Sequence, residues 1–178
     1  MDNFKRPQRV KQNNEFVFGI RAVIEAIKAG RDIETIYLQR GLAGDLFTEL
    51  KTLLHGTLIP LNSVPVEKLN RMSHKNHQGV IAVISPITYQ NIEDIIPTVF
   101  EKGETPLILI LDSVTDVRNM GAIARTAACV GVHAIVVPIK NAAQINADAI
   151  KTSAGALFSI PICRHDNLRK VCLFLQDS

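Results

Sequence analysis

Tryptophan is absent from this sequence, and tyrosine occurs twice, at Tyr37 and Tyr89. Proteins that grip single-stranded nucleic acid by stacking its bases need exposed aromatic rings, so an aromatic base platform is excluded; the seven phenylalanines read as core positions. Cysteine is scarce. Cys129, Cys163 and Cys172 are odd in number and lack any C-x-x-C spacing. That rules out a disulfide framework and reads as buried free thiols of a reducing, cytoplasmic compartment. No apolar run approaches the ~18 residues of a membrane span, and the basic N-terminus has no apolar stretch of a secretory signal. Neither a G-x-G-x-x-G fingerprint nor a G-x-x-x-x-G-K-[ST] loop occurs, so the usual dinucleotide and P-loop sites are missing. His74 and His77 stand three apart without further ligands at suggestive spacing, so they read as loop residues and no metal site is expected.

What is present is ordinary globular chemistry: 47% hydrophobic residues over 178 positions, and a formal charge of +3 that permits a nucleic-acid partner. The chain is organised around residues 107–138, LILILDSVTDVRNMGAIARTAACVGVHAIVVP. Residues 107–111 are aliphatic without alternation, which predicts a strand buried on both faces, as in a parallel sheet. A polar loop follows, then a predicted helix over 120–130 stopped by Gly131, then a strand over 134–137. This is one βαβ crossover, and ligands of such sheets lie beyond the carboxyl ends of the strands. Asp112, Arg118, Asn119 and Arg125 are thereby placed on or just behind a functional rim. Asn119 could cap the helix, Gly121 could admit a close backbone or ligand, and Arg125 falls in the second turn. The spacing alone fits equally a capping Asn and an Arg paired with a neighbouring carboxylate.

Residues 1–15 form a basic tail; over residues 1–14 Lys5, Arg6, Arg9 and Lys11 face one acid, Asp2, and the segment is either a solubilising terminus or an arm for phosphates. Residues 16–86 alternate predicted helices (19–29, 45–54 capped by Asp45, 65–72) with strands (33–38, 58–61, 79–84), giving a small α/β domain. Residues 87–105 read as a linker helix. Residues 106–178 hold the βαβ unit, a helix over 146–157 broken near Gly155, a strand over 159–163 and a last helix over 167–175.

Four segments resemble one family. LDSVTDVRNMGAIARTAACVGVHAIVV is similar to the first motif of the SpoU (TrmH-type) RNA 2′-O-ribose methyltransferases, and KTSAGALFSIPI to the segment that follows it. GIRAVIEAIKAG and HQGVIAV resemble the substrate-binding domain of the branch that contains the 23S rRNA guanosine methyltransferases. The likeness covers about residues 16–175. It implies a small α/β RNA-binding domain followed by a parallel-sheet methyltransferase domain of the trefoil-knot type, S-adenosylmethionine as cofactor, RNA (rRNA rather than tRNA) as substrate, and a homodimer. The family's second and third motifs, which form the knot and hold the cofactor, do not occur in the 178 residues and are expected beyond Ser178.

By the resemblance, Asn119 and Arg125 are the catalytic pair; Arg118, Arg21, Lys75 and the four tail cations are, as cations, candidate contacts to the substrate's phosphates. The family's arginine is assigned the role of general base. A guanidinium keeps its proton in proteins, so holding the 2′-OH and its phosphate is the role that the chemistry favours. Two other classes compete: an RNA-binding protein without catalysis, and a metabolic nucleotide enzyme, against which the missing glycine fingerprint argues.

Overall fold

The structure, a computed structural model, describes residues 15–178. It contains two four-stranded sheets, each with its own helices. The first sheet is mixed, in the order β1 (Phe16–Phe18), β4 (Val80–Ile84), β2 (Ile33–Gln39), β3 (Leu61–Val64). β4 runs antiparallel to β1 and β2, and β3 parallel to β2. Helices α1 (Ile20–Lys28) and α2 (Asp45–Leu54) cover one face through Ile20, Val23, Ile24, Leu50 and Leu54. Helix α3 (Val66–Met72) covers the other through Leu69. In β2 Ile33 to Ile36 are all buried, because a central strand with cover on both faces has no solvent side.

The second sheet is wholly parallel, in the order β5 (Tyr89–Gln90), β8 (Ile162–His165), β7 (Ala134–Pro138), β6 (Ile108–Ile110). Helices α4 (Ile92–Glu101) and α7 (Leu168–Asp177) lie on one face, where Ile92, Ile96, Val99 and Val171 meet Ala134, Val136 and Cys163. Helices α5 (Val117–Cys129) and α6 (Ala147–Thr152), with a 3₁₀ turn at Ala156–Phe158, lie on the opposite face around Met120, Ala124, Ile135 and Leu157. The fold is therefore α/β throughout, a mixed sheet followed by a helix-sandwiched parallel sheet.

Several expectations are corrected. β6 is an edge strand and only half-buried; the fully buried strand of the crossover is β7. Residues 87–105 are not only a helix, since Tyr89 and Gln90 pair with β8 and complete the second sheet. β3 starts after Pro60, whose ring leaves it no N–H for a ladder, so the strand predicted over 58–61 is displaced to Leu61–Val64. Asp45 is the first residue of α2, and Gly44 occupies the cap position without a side-chain bond. The phenylalanines are core residues only in part: Phe16, Phe18, Phe47 and Phe174 are partly buried against the core, while Phe100 and Phe158 are 50% and 65% exposed. The core is built from Ile, Val, Leu and Ala.

The thiols separate by burial. Cys163 is buried in β8, and desolvation, followed by the nearby Glu93 carboxylate, pushes it up to about 12. Cys129 and Cys172 are exposed. Because the thiolate is the reactive form, a thiol reagent at pH 8 should modify Cys129 and Cys172 and leave Cys163 intact until denaturant is added. Mass mapping of native protein checks this, and rapid native labelling of Cys163 would show that β8 is not packed as described.

Candidate functional site

The carboxyl ends of the parallel strands form the rim. After β6 the chain passes from buried Leu111 to exposed Asp112. Ser113, at a left-handed φ of 59°, donates to Asp112 Oδ1 at 3.0 Å. Ala143 N donates to Val114 O at 2.8 Å, which ties the loop after β7 to the loop after β6. Helix α5 is capped by Asp116, whose Oδ1 accepts from Asn119 N at 2.8 Å. Asn119 is thus the capped residue and not the cap. Its side chain is exposed in the first turn and lines an open cavity of about 390 Å³ with Ser113, Thr115 and Asp116.

Arg125 is in the third turn of α5, not the second, because the helix starts at Val117. At 1.5 Å per residue it lies roughly 9 Å along the axis from Asn119, and it does not line the same cavity. Arg118 and Arg125 are seven residues apart, so they share one face of the helix. Both are exposed, and neither is ion-paired among the described residues. The alternative of a capping Asn with a carboxylate-bound Arg therefore fails on both counts. Gly121 serves a close approach, but to backbone. A Cβ there would stand 2.7 Å from Ala149 O and 2.8 Å from Thr152 Cβ, so its lack of a side chain is what lets α6 press against α5.

Two further expected residues, Arg21 and Lys75, lie on the first unit. Arg21 is exposed on α1, and the Lys75 ammonium stands 5.2 Å over the Phe18 ring, three residues from Arg21 in sequence. Lys5, Arg6, Arg9 and Lys11 fall outside the described residues. His77 is buried with both nitrogens occupied: Nδ1 accepts from Gly79 N at 3.0 Å, and Nε2 meets Asn70 Oδ1 at 2.9 Å.

Sequence reasoning missed a cleft of about 410 Å³ between the two units. One wall carries Tyr37, Asn62 and Lys68, the other Lys140, Asn141 and Gln144. Gln144 Nε2 donates to Tyr37 Oη at 2.9 Å across it, and the Lys68 ammonium lies 5.3 Å over the Tyr37 ring. Also lining it are three side chains in mutual contact. The Arg164 Nη2 to Glu34 Oε2 distance is 2.8 Å, Tyr89 Oη donates to Glu34 Oε2 at 2.6 Å, and Arg164 Nη2 donates to Tyr89 Oη at 2.6 Å. Burial, and then the Glu34 carboxylate, hold the Tyr89 phenol well above its ordinary value. A legible signal existed: Glu34 and Arg164 are opposite charges inside otherwise apolar strand runs, IETIYL and IPICRH.

The rim loops, the parallel sheet and the preceding mixed sheet define a two-part α/β protein. Comparison with known proteins makes this specific. A family model for "RNA 2'-O ribose methyltransferase substrate binding" matches residues 16–90, and one for the "SpoU rRNA Methylase family" matches residues 106–178. The chain is 34% identical over 161 residues to a Bacillus subtilis protein named as a TrmH family tRNA/rRNA methyltransferase, YacO, covering 90% of this chain and 65% of that protein. It is 33% identical over 168 residues to a Mycobacterium sp. (strain KMS) protein named an uncharacterized tRNA/rRNA methyltransferase, covering 93% and 54%. Among solved structures, the SpoU methyltransferase AviRb from Streptomyces viridochromogenes, crystallised with AdoMet, aligns at 23% identity and a TM-score of 0.43, covering 92% of this chain and 60% of that one. A superposition of that quality supports no assignment. The chain belongs to the SpoU family, and it spans about half to two-thirds of the curated relatives it matches.

Gly121→Ala should lower stability by roughly 1–3 kcal/mol, because the added methyl meets α6 backbone that cannot rotate away. Thermal unfolding followed by circular dichroism measures it. An unchanged midpoint would mean that α5 and α6 are farther apart than described.

Proposed function

We propose that this protein takes part in methyl transfer from S-adenosylmethionine to a ribose 2′-OH of RNA, with residues 16–86 gripping the RNA and residues 106–178 contributing to the catalytic domain. The observation that carries the reading is the tandem match to a 2′-O-methyltransferase substrate-binding model and a SpoU methylase model in one chain. The free Arg118 and Arg125 face supports it, since an arginine without a carboxylate partner is available to a phosphate. When bound, the cofactor supplies an electrophilic methyl group. The described residues do not by themselves fit it. The cleft of about 520 Å³ across the strand ends, lined by Asp112, Lys140, Asn141, Asp166 and Asn167, is open, and no buried side-chain polar atom among the described residues lacks a partner that a cofactor could satisfy.

In this reading the guanidinium of Arg125 would hold the ribose and its adjacent phosphate. Arg118, on the same helix face, takes a second phosphate, and Asn119 presents its amide at the rim. Arg21, Lys75 and the basic residues Lys5, Arg6, Arg9 and Lys11 neutralise backbone farther from the reaction. The scarcity of aromatic side chains supports recognition by shape and phosphate. The same reading includes rRNA as the preferred substrate, a homodimer and a cytoplasmic location.

In the protein as expressed from its own gene, Arg125→Ala should reduce tritiated methyl transfer to rRNA by about 10²-fold or more while leaving the fold intact, the scale of losing a positioned charge in a reaction. Activity within a few-fold of the parent would remove Arg125 from the mechanism. RNA binding should weaken steeply with salt, and Lys75→Gln should reduce the magnitude of the log–log slope by about 0.7 to 0.9, the effect of one phosphate contact. A slope identical to that of the parent would place Lys75 off the RNA.

A further inference from the structure

We infer that Glu34, Tyr89 and Arg164 form a buried latch that locks the first unit onto the second sheet, which makes them positioning residues that set where the RNA-gripping surface stands relative to the reacting rim. The argument begins in the backbone. The ladder between β2 and β4 pairs Ile33 with Ile84 and Thr35 with Val83, so Glu34 is an extra residue in a β-bulge. A bulge re-aims a side chain out of the sheet's regular alternation, and here the carboxylate is turned to the other unit. Its Oε2 meets Arg164 and Tyr89, and its Oε1 accepts from Ile145 N at 3.0 Å. Arg164 Nη1 donates onward to Ile33 O at 3.2 Å, and its guanidinium carbon is 3.6 Å from the Tyr89 ring centroid. Glu34 and Arg164 are 2% and 8% exposed, so solvent hardly competes for either charge.

Two outer bonds flank the latch. Thr88 Oγ1 donates to Asp32 Oδ2 at 2.7 Å, and Gln144 reaches Tyr37 across the cleft. A surface ion pair between two mobile domains would cost side-chain order and return little. A buried pair with its hydrogen bonds filled instead selects one arrangement, because any rotation of the units leaves two charges without solvent or partner. The cleft above the latch is then preformed. This consequence rests on the RNA-binding reading of the preceding subsection; the latch itself does not.

The test uses the whole chain with Cys129→Ser and Cys172→Ser, spin-labelled through T48C on α2 and K170C on α7, both exposed positions. Double electron–electron resonance should give one narrow distance distribution for the parent. The double change Glu34→Met with Arg164→Met removes both charges together and leaves neither unpaired. It should broaden that distribution markedly while circular dichroism stays unchanged. Tyr89→Phe, which deletes only the phenol oxygen, should broaden it partially and keeps the test available if the double variant does not fold. A broad distribution in the parent overturns the latch, as does an undisturbed narrow one in the variants that fold. Binding of a mixed-sequence 20-nucleotide RNA is read in parallel. Release of the latch should weaken it by about tenfold if a tenth of the freed molecules present the cleft correctly. A parent that binds no RNA would refute the proposed function and leave the distance measurement as the judge of the latch.

Discussion

A carboxylate and a guanidinium buried against each other impose a stricter condition on a protein than any apolar contact does. An apolar side chain tolerates a shift of an ångström at the expense of a few dispersion contacts. A buried charge that loses its partner costs about 3–5 kcal/mol, a large fraction of a domain's stability. Glu34 and Arg164 therefore constrain everything between them. The bulge in β2 must persist, β5 must bring Tyr89 to the second sheet, and the loop before α6 must offer Ile145 N. Several of these features look accidental in isolation. A two-residue strand has little stability of its own, and a bulge interrupts a ladder. Each is explained once the pair has to be satisfied from both sides.

Much of the architecture was legible in the sequence, because it follows from local periodicity. The helical spacing of Ile92, Ile95, Ile96 and Val99 and the stops at Gly30 and Gly131, both at positive φ, read correctly without tertiary information, and the aliphatic run before Asp112 read correctly as a strand though not in its burial. What failed has identifiable causes. β1 and β5 have three and two residues, too few for any period to show. Asp116 and Asn119 are both sound capping residues, and which of them caps depends on where the loop after β6 ends, which a bond between Val114 and Ala143 helps to fix from another part of the chain. The latch joins residues more than a hundred positions apart, so no window could reveal it. Two opposite charges in apolar strands were visible, but their pairing was not.

The site shows the same division. Asn119, Gly121 and Arg125 were singled out by spacing, and the structure separates their work. Gly121 belongs to packing, since α6 backbone fills the place of its missing side chain. Arg118 and Arg125 belong to a free surface. An exposed guanidinium on a helix acts through water of high dielectric, where its attraction for a phosphate at 4 Å is only about 1 kcal/mol. Catalytic electrostatics gains its strength when water is excluded. For Arg125 to hold a ribose as proposed, the outer face of α5 must be covered in the reacting state by RNA, by a second subunit or by both. Half-exposed Leu107 precedes β6 and the mostly exposed Val130 follows α5, so some apolar surface is exposed at these two ends as well. A cover over α5 would bring phosphate to the charges. The latch then acquires a mechanical reason: a cover reaching both units can close on α5 in one register only if the units do not turn against each other.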